Sequence, residues 1–393
     1  MRILYSAPLY DASGYSNFAR NFVFSLHKIG AKVRTNPMKL GEAFPNLTTA
    51  ESLLLKQLKS KKTHKFNVNV MNTLPTEYPN IMREDCANVG FTMFETSRVP
   101  KAWVDECNKT DAILVPSSWN SEVFKKSGVT VPIYVVPPGI KEAQTEGATI
   151  NLPMLKNPEK VYKFYSVFEW TERKNPIGLI KSYLATFTGI KDVALFLKVY
   201  SGEDTPEKRQ WLAQQIKEVM NLMRLDHYPH VILIPEILST EHMGFFHRTC
   251  DCFVLPTRAE GIGLPTMEAM SYGKPVITTK YGGSLQVCNE NNSFLIDNQE
   301  TFVCNMPWID CYEGNMTWAE PNLVHLGQLM KNCYQNPSFA KMVGQIGRKH
   351  ILTKFNPEAR AKHLLTVLEE IHENKIHSKQ KLPKRKARRT ANS

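Results

Sequence analysis

The sequence predicts an α/β fold of two doubly wound parallel-sheet domains with a cleft between them. Short apolar segments of strand length alternate with longer amphipathic segments of helix length, an order typical of parallel sheets covered by helices on both faces. The alternation stops in a polar stretch, Lys141 to Lys160, and then starts again. A chain of 393 residues with 42% apolar content is also long enough to build two cores.

In the first half, the predicted strands are apolar segments that end in turn-forming residues. They lie near residues 2–7, 31–36, 66–71, 88–94, 111–115 and 132–136. Helical spacing predicts helices near residues 14–29, 48–59, 100–109 and 118–127. The turn Pro137-Pro138-Gly139 ends this half.

The second half repeats the pattern. Strands are predicted over residues 162–167, 193–199, 230–234, 251–255, 276–279 and 293–296. Helices are predicted over residues 176–189, 205–224, 239–249 and 265–272, and apolar residues at helical spacing predict a last helix from Pro357 to Glu373. Because ligands of doubly wound sheets lie at the carboxyl ends of the strands, we expect the functional site in the cleft.

The positive charge of the chain is concentrated near its end. The formal net charge is +12. Eight basic residues fall between Lys375 and Arg389, and no acidic residue follows Glu373. We predict a disordered basic tail over residues 374–393, and two interpretations stay open. The tail is either a solvated extension without a partner or a segment that contacts nucleic acid or an anionic membrane.

Composition excludes some other classes of protein. No apolar run approaches the length of a membrane-spanning helix, and the eight cysteines are scattered without a second pair at zinc-ligand spacing. The cysteines are therefore predicted to be reduced core thiols. The expected location is the cytoplasm, with peripheral membrane contact through the tail as the open alternative.

A glycine-rich turn after the predicted strand 251–255 is the most informative motif. Gly261 and Gly263 let the backbone approach a ligand closely, and Pro265 suits the first position of a helix. The N-terminus of that helix offers unpaired N–H groups to an anion such as a diphosphate. Glu260 and Glu268 flank the turn and can accept hydrogen bonds from hydroxyl groups on either side. This arrangement suits a nucleotide sugar.

The spacing Glu260-x7-Glu268, followed by Ala-Met-Ser-Tyr-Gly-Lys-Pro-Val-Ile, resembles the glutamate pair of retaining GT-B glycosyltransferases, most closely glycosyltransferase family 4. The resemblance implies two Rossmann-like domains, with the acceptor mainly on residues 1–150 and the donor on residues 151–356, and a helix over 357–373 that crosses back to the first domain. It implies that Glu268 binds the donor ribose and that Glu260 faces the transferred sugar. The loop amides, including those of Ile262 and Leu264, would hold phosphate and sugar.

A second motif, Arg173-Lys174, lies at a strand-to-helix junction. Both side chains can form charge-assisted hydrogen bonds to phosphate and so stabilise a leaving nucleoside diphosphate. Lys174 resembles the phosphate-binding lysine of the family. The family usually has an arginine several residues earlier, where this chain has Phe168 and Glu169. Arg173 is the candidate substitute.

The first domain departs from the family in two places. Its first loop has one glycine, Gly14, where family members usually have two; Gly14 either contacts the donor or acceptor closely or belongs to a helix-entry turn capped by Ser13. No histidine occurs between His64 and His227, and Glu95 stands in the segment where many members carry one. Glu95 is predicted to hold a donor hydroxyl, orient the acceptor or act as a base.

The predicted function is transfer of a hexose from UDP- or GDP-sugar to a glycan, lipid or protein. Backbone contacts of Glu236 and Ile237 with the base are expected, and no cofactor or metal is predicted, since the sequence has no Asp-x-Asp motif. The alternatives are a nucleotide-sugar epimerase or a phosphorylase of the same fold; the latter would need lysine-linked pyridoxal phosphate. A further alternative is a non-catalytic protein that binds nucleic acid or membranes and whose sugar site has decayed.

Overall fold

The computed structural model describes residues 1–11, 13–39, 47–62, 65–143, 161–202, 204–236, 238–306 and 310–381. Within these residues the chain forms two parallel six-stranded sheets, so the predicted α/β architecture is confirmed. The predicted boundary between the domains, at residue 150, lies outside the described residues.

The first sheet contains the first six strands in the order β2-β1-β3-β4-β5-β6, all parallel. These strands are β1 (Arg2–Pro8), β2 (Lys32–Met38), β3 (Val68–Met71), β4 (Ala87–Phe91), β5 (Ala112–Val115) and β6 (Ile133–Val135). The helices of this half are α1 (Gly14–Lys28), α2 (Thr49–Ser60), α3 (Tyr78–Ile81), α4 (Lys101–Cys107) and α5 (Ser118–Ser127).

The second sheet has the order β12-β11-β10-β7-β8-β9 and is also parallel. Its strands are β7 (Tyr162–Glu169), β8 (Val193–Tyr200), β9 (His230–Ile234), β10 (Cys252–Leu255), β11 (Val276–Thr279) and β12 (Phe294–Ile296). The helices are α6 (Pro176–Phe187), α7 (Pro206–Met223), α8 (Thr240–Thr249), α9 (Leu264–Ser271), α10 (Leu323–Gln335) and α11 (Pro337–Lys354). An antiparallel hairpin is formed by β13 (Asn298–Phe302) and β14 (Thr317–Pro321).

The last helix, α12 (Pro357–Lys381), packs on the first domain. The Tyr134 hydroxyl donates to Glu370 at 2.8 Å, and Lys375 pairs with Asp111 at 2.7 Å. The predicted start of the tail at residue 374 is wrong, because the helix continues to Lys381. Contacts such as the Lys375–Asp111 pair hold this basic stretch against the first sheet. Residues 382–393 lie outside the described residues.

No helix in the described part of the chain combines the length and apolar character that a membrane span requires.

Candidate functional site

Residues that follow the carboxyl ends of strands in both sheets line a single cavity of about 560 Å³ between the two domains. This is where doubly wound sheets bind their ligands. The cavity brings together most of the site residues predicted from the sequence: Gly14, Glu95, Arg173, Lys174, Glu260, Gly261, Ile262, Gly263, Leu264 and Glu268.

Glu260, which lines this cavity, forms a buried ion-pair network. The Lys174 ammonium donates a hydrogen bond to Glu260 Oε1, and the Arg173 guanidinium lies 3.5 Å from Oε2. Burial raises the pKa of the Glu260 carboxyl, but the charges of Lys174 and Arg173 outweigh it and leave the pKa below its usual value. The two predicted motifs, far apart in the sequence, therefore meet at one carboxylate that stays ionised at neutral pH.

The turn that contains Gly261 and Gly263 packs against a second pair of glycines, Gly282 and Gly283. Gly263 adopts φ = 80° directly before α9, a conformation that favours glycine. The Gly283 amide donates to the Glu260 carbonyl at 2.8 Å. A Cβ atom on Gly283 would lie 1.9 Å from the Gly261 carbonyl oxygen. The backbone of Glu260 and Gly261 is thus packed against a surface that only glycine can form.

Substitution of Gly283 by alanine is therefore expected to destabilise the protein by about 1–3 kcal/mol, the usual cost of overpacking. The three atoms nearest to such a Cβ atom are the carbonyl oxygen and carbon of Gly261 and the carbonyl oxygen of Glu260, which belong to the backbone and cannot rotate away. Thermal denaturation should show a lower Tm for G283A than for the wild type. Gly314→Ala is the matched control, since a Cβ atom there would meet nothing within 4 Å. Equal Tm values for G283A and G314A would show that the loop packing is looser than the structure indicates.

Arg258 anchors the segment before Glu260. Its guanidinium pairs with Glu320 at 2.6 Å and with Glu172 at 2.9 Å, and its backbone amide donates to the Arg173 carbonyl at 2.7 Å. These contacts fasten the strand end that carries Glu260 to the turn that carries Arg173 and Lys174. No local sequence pattern indicates this role of Arg258, because its partners lie 62 and 86 positions away.

Glu95 extends from the first domain toward the same network. It accepts a hydrogen bond from the Tyr312 hydroxyl at 2.9 Å and lies 3.6 Å from the Arg173 guanidinium. Arg98, three residues after Glu95, is exposed. Glu95 and Glu260 therefore share Arg173 as a common cation between the domains.

Two polar residues of the first domain also contact the glycine turn. Asn120 fixes the backbone of Phe94, just before Glu95, through bonds of 2.9 and 3.1 Å. The Ser117 hydroxyl donates to the Gly261 carbonyl at 3.1 Å. The first domain therefore contacts the backbone of the turn as well as the ion-pair network of Glu260.

Glu268 differs from Glu260 in having no ionic partner. Within the described residues, no side chain donates a hydrogen bond to its carboxylate or lies within 4 Å of it as an ion-pair partner. Burial raises the pKa of Glu268 to about 7. A half-buried carboxylate without a partner, one helical turn into α9, has its acceptor capacity free for a ligand in the cavity.

Lys198 is a further cation in the lining of this cavity and is not among the site residues predicted from the sequence. It lies two residues before the end of β8, an otherwise apolar strand, is 5% exposed and lies 5.5 Å from the centre of the Tyr200 ring. Burial lowers the pKa of Lys198 to about 8, although Asp204 and Glu236 act in the opposite direction. The sequence signal for this residue is a charged side chain within the otherwise apolar run Val193–Val199, which forms a buried strand.

Of the two residues expected to contact the nucleotide base, Glu236 and Ile237, the structure describes only Glu236. Glu236 is exposed and lies 3.9 Å from Arg209; Leu238, rather than Glu236, lines the cavity. Ile237 lies outside the described residues. Gly14 lines the cavity at the start of α1. A Cβ atom on Gly14 would meet no protein atom within 4 Å, so the close contact expected at this glycine would have to be made by a bound ligand. Ser13 caps α1 by accepting from the Ser16 amide.

Residues 184–306 match the family described as Glycosyl transferases group 1. Among curated proteins, the mouse alpha-1,3/1,6-mannosyltransferase ALG2 is 23% identical over 285 residues, which cover 68% of this chain. The match spans 61% of the length of the mannosyltransferase. The predicted resemblance to group 1 glycosyltransferases is thereby confirmed.

Solved structures of similar shape cover nearly the whole chain. Anabaena HepE, solved in complex with UDP and glucose, has a TM-score of 0.67 at 14% identity, covering 94% of this chain and 100% of HepE. Sucrose-phosphate synthase from Thermosynechococcus elongatus has a TM-score of 0.66 at 14% identity, covering 95% and 100%. These likenesses confirm the predicted GT-B fold.

Proposed function

We propose that this chain is a retaining glycosyltransferase that transfers a hexose from UDP- or GDP-sugar to a glycan, lipid or protein acceptor. The observation that carries the proposal is the placement of Glu260, Lys174 and Glu268 around one cavity beside the N-terminus of α9. Carboxylates on two sides of an anion-binding turn match the order of groups in a nucleotide sugar.

The nucleotide end of the donor would lie between Glu268 and the turn. The unpaired carboxylate of Glu268 accepts from the ribose hydroxyls, and the amides at the start of α9 donate to the diphosphate. Lys198 adds a buried positive charge to the lining of the same cavity. Anions bound in this low-dielectric setting interact more strongly with these groups than they would in water.

The reacting end would lie at the Glu260 network. As the bond between the sugar and the diphosphate breaks, negative charge grows on the leaving group, and the Lys174 and Arg173 cations stabilise it there. Glu260 orients both cations and faces the transferred sugar. Glu95, which shares Arg173 with Glu260, is the first-domain carboxylate placed to hold a sugar hydroxyl or orient the acceptor. The resemblance to family 4 supports retention and a reaction without a metal ion, so we expect activity to persist in EDTA.

Glu268→Gln is expected to strengthen the fold while weakening ligand binding. Glu268 has a pKa of about 7 in the folded chain, whereas an unfolded glutamate titrates at about 4.3. At about pH 4 the carboxyl is mostly protonated in both states, so the wild type and the glutamine variant differ little there. Between about pH 4.3 and about pH 7 the unfolded chain releases a proton that the folded chain keeps, so the wild type loses stability across this window and the glutamine variant does not. Thermal denaturation should therefore show a higher Tm for E268Q at about pH 8 and an equal Tm at about pH 4.

The same variant should bind UDP or GDP about tenfold more weakly in calorimetry, because an amide is a poorer acceptor for ribose hydroxyls than a carboxylate. Glu122→Gln, an exposed position on α5, is the control and should change neither property. Wild-type affinity in E268Q would remove Glu268 from the donor site.

Binding of the free nucleotides tests the proposed function itself. Purified protein should show a higher Tm in the presence of UDP or GDP, since a ligand that binds only the folded state stabilises it. A protein that responds to neither nucleotide would contradict the donor site and favour the non-catalytic alternative.

A further inference from the structure

A second cavity, of about 330 Å³, lies at the edge of the first sheet where the strands begin, opposite the cleft. Five basic side chains line it: Arg2, His27, Lys32, Arg34 and Lys61. No carboxylate is among its lining residues in the described part of the chain. A recess of this charge attracts anions.

Contacts with neighbouring residues position basic side chains at the recess. Lys61 donates to the Val33 carbonyl at 3.0 Å, which holds its ammonium at the recess, and Lys32 is exposed beside it. Phe66 forms part of the wall, and the Arg83 guanidinium lies 5.5 Å from its ring centre. Asp85, which pairs with Arg83 at 2.8 Å, and Asp111, which pairs with Lys375 at 2.7 Å, are acidic neighbours on this side.

The basic end of α12 reaches the same edge. The Arg2 amide donates to Asn67 at 2.8 Å, and the Asn67 side chain lies 3.0 Å from the ring of His372. Lys375, one turn further along, donates to the Cys86 carbonyl at 3.0 Å. The recess and the start of the basic run Lys375–Arg389 are therefore adjacent.

We propose that this edge of the first domain binds the phosphate headgroups of an anionic membrane surface. Clusters of lysine and arginine next to one another recognise anionic lipids in this way. Ile376 is 41% exposed within the basic end of α12 and offers an apolar side chain to the membrane interface. Single-stranded nucleic acid would need an exposed aromatic surface for stacking, whereas Phe66 is buried in the wall.

The location also has a functional consequence. The strands of the first sheet run from this edge toward the cleft, so a membrane bound here leaves the opposite, carboxyl-end cavity open to soluble ligands. Membrane binding at this edge would involve the recess and α12 and would not depend on sugar transfer in the cleft.

Flotation of the full chain with vesicles tests the proposal. The wild type should bind phosphatidylcholine vesicles that contain about 30% phosphatidylserine, and should bind pure phosphatidylcholine vesicles much less. The variant R2Q/K32Q/K61Q should partition at least about tenfold more weakly. The control K208Q/K217Q/K331Q removes the same charge from exposed positions of the second domain and should bind like the wild type. Circular dichroism checks that both variants are folded.

Deletion of residues 382–393 is a second variant and should also weaken binding, because it removes five of the eight basic residues. Equal losses in the two triple variants would show that net charge alone matters and would overturn the proposal. So would binding of inositol hexakisphosphate or of short single-stranded DNA through Arg2, Lys32 and Lys61 without any binding to the vesicles.

Discussion

Replacement of Glu260 by glutamine is expected to lower the turnover of the donor sugar at least about 100-fold, the usual effect of removing a group that organises charge in the transition state. Glutamine has nearly the same shape but cannot hold Lys174 and Arg173 by charge. Both cations would lose the carboxylate that orients them toward the leaving diphosphate. Initial rates of donor hydrolysis or transfer, measured at saturating donor, give the effect directly.

The control for this variant is Glu290→Gln, an exposed carboxylate that pairs with Lys280 at 2.6 Å. It should retain the wild-type rate. Because removal of one partner of a buried ion pair also destabilises a fold by about 3–5 kcal/mol, the E260Q rate must be measured well below its own Tm. A folded E260Q protein with the wild-type rate would show that Glu260 is structural only.

Lys174→Met is expected to weaken binding of UDP or GDP by about 10- to 100-fold, which corresponds to one charge-assisted hydrogen bond to phosphate. The methionine fills a similar volume but carries no charge, so the loss should depend on the phosphates of the ligand. Calorimetry with the nucleoside diphosphate and with the free nucleoside separates the two contributions. The affinity for the free nucleoside should hardly change.

Lys331→Met, at an exposed position on α10, is the matched control and should bind both ligands normally. If K174M lost affinity for the nucleoside as much as for the diphosphate, Lys174 would act by supporting the cavity. The assignment of the phosphate position would then be wrong.

Local patterns were sufficient to predict the fold and the second-domain motifs. The inner strands β10 and β11 of the second sheet are short, mostly apolar runs buried on both faces, so their positions follow from hydrophobicity alone. The turn before α9 was equally clear, because Gly263 at φ = 80° and Pro265 at the helix start are residue types that such a turn requires.

The parts of the site that were missed depend on contacts between distant segments. Tyr312 meets Glu95 across 217 positions, and Ser117 meets Gly261 across 144. No local periodicity records such pairs, because they follow from how the two domains close on each other. The last helix was predicted too short for a related reason. Lys375 is polar and breaks no pattern, yet its bond to Asp111 holds the end of α12 on the first sheet.

The most direct test of the donor site is a panel of UDP- and GDP-sugars incubated with the purified protein, with release of the nucleoside diphosphate as the readout. We expect slow hydrolysis of at least one sugar by the wild type, and at least about 100-fold less by E260Q. No release from any UDP- or GDP-sugar by the wild type, or equal release by both proteins, would contradict the proposal that the Glu260 cavity is the site of sugar transfer.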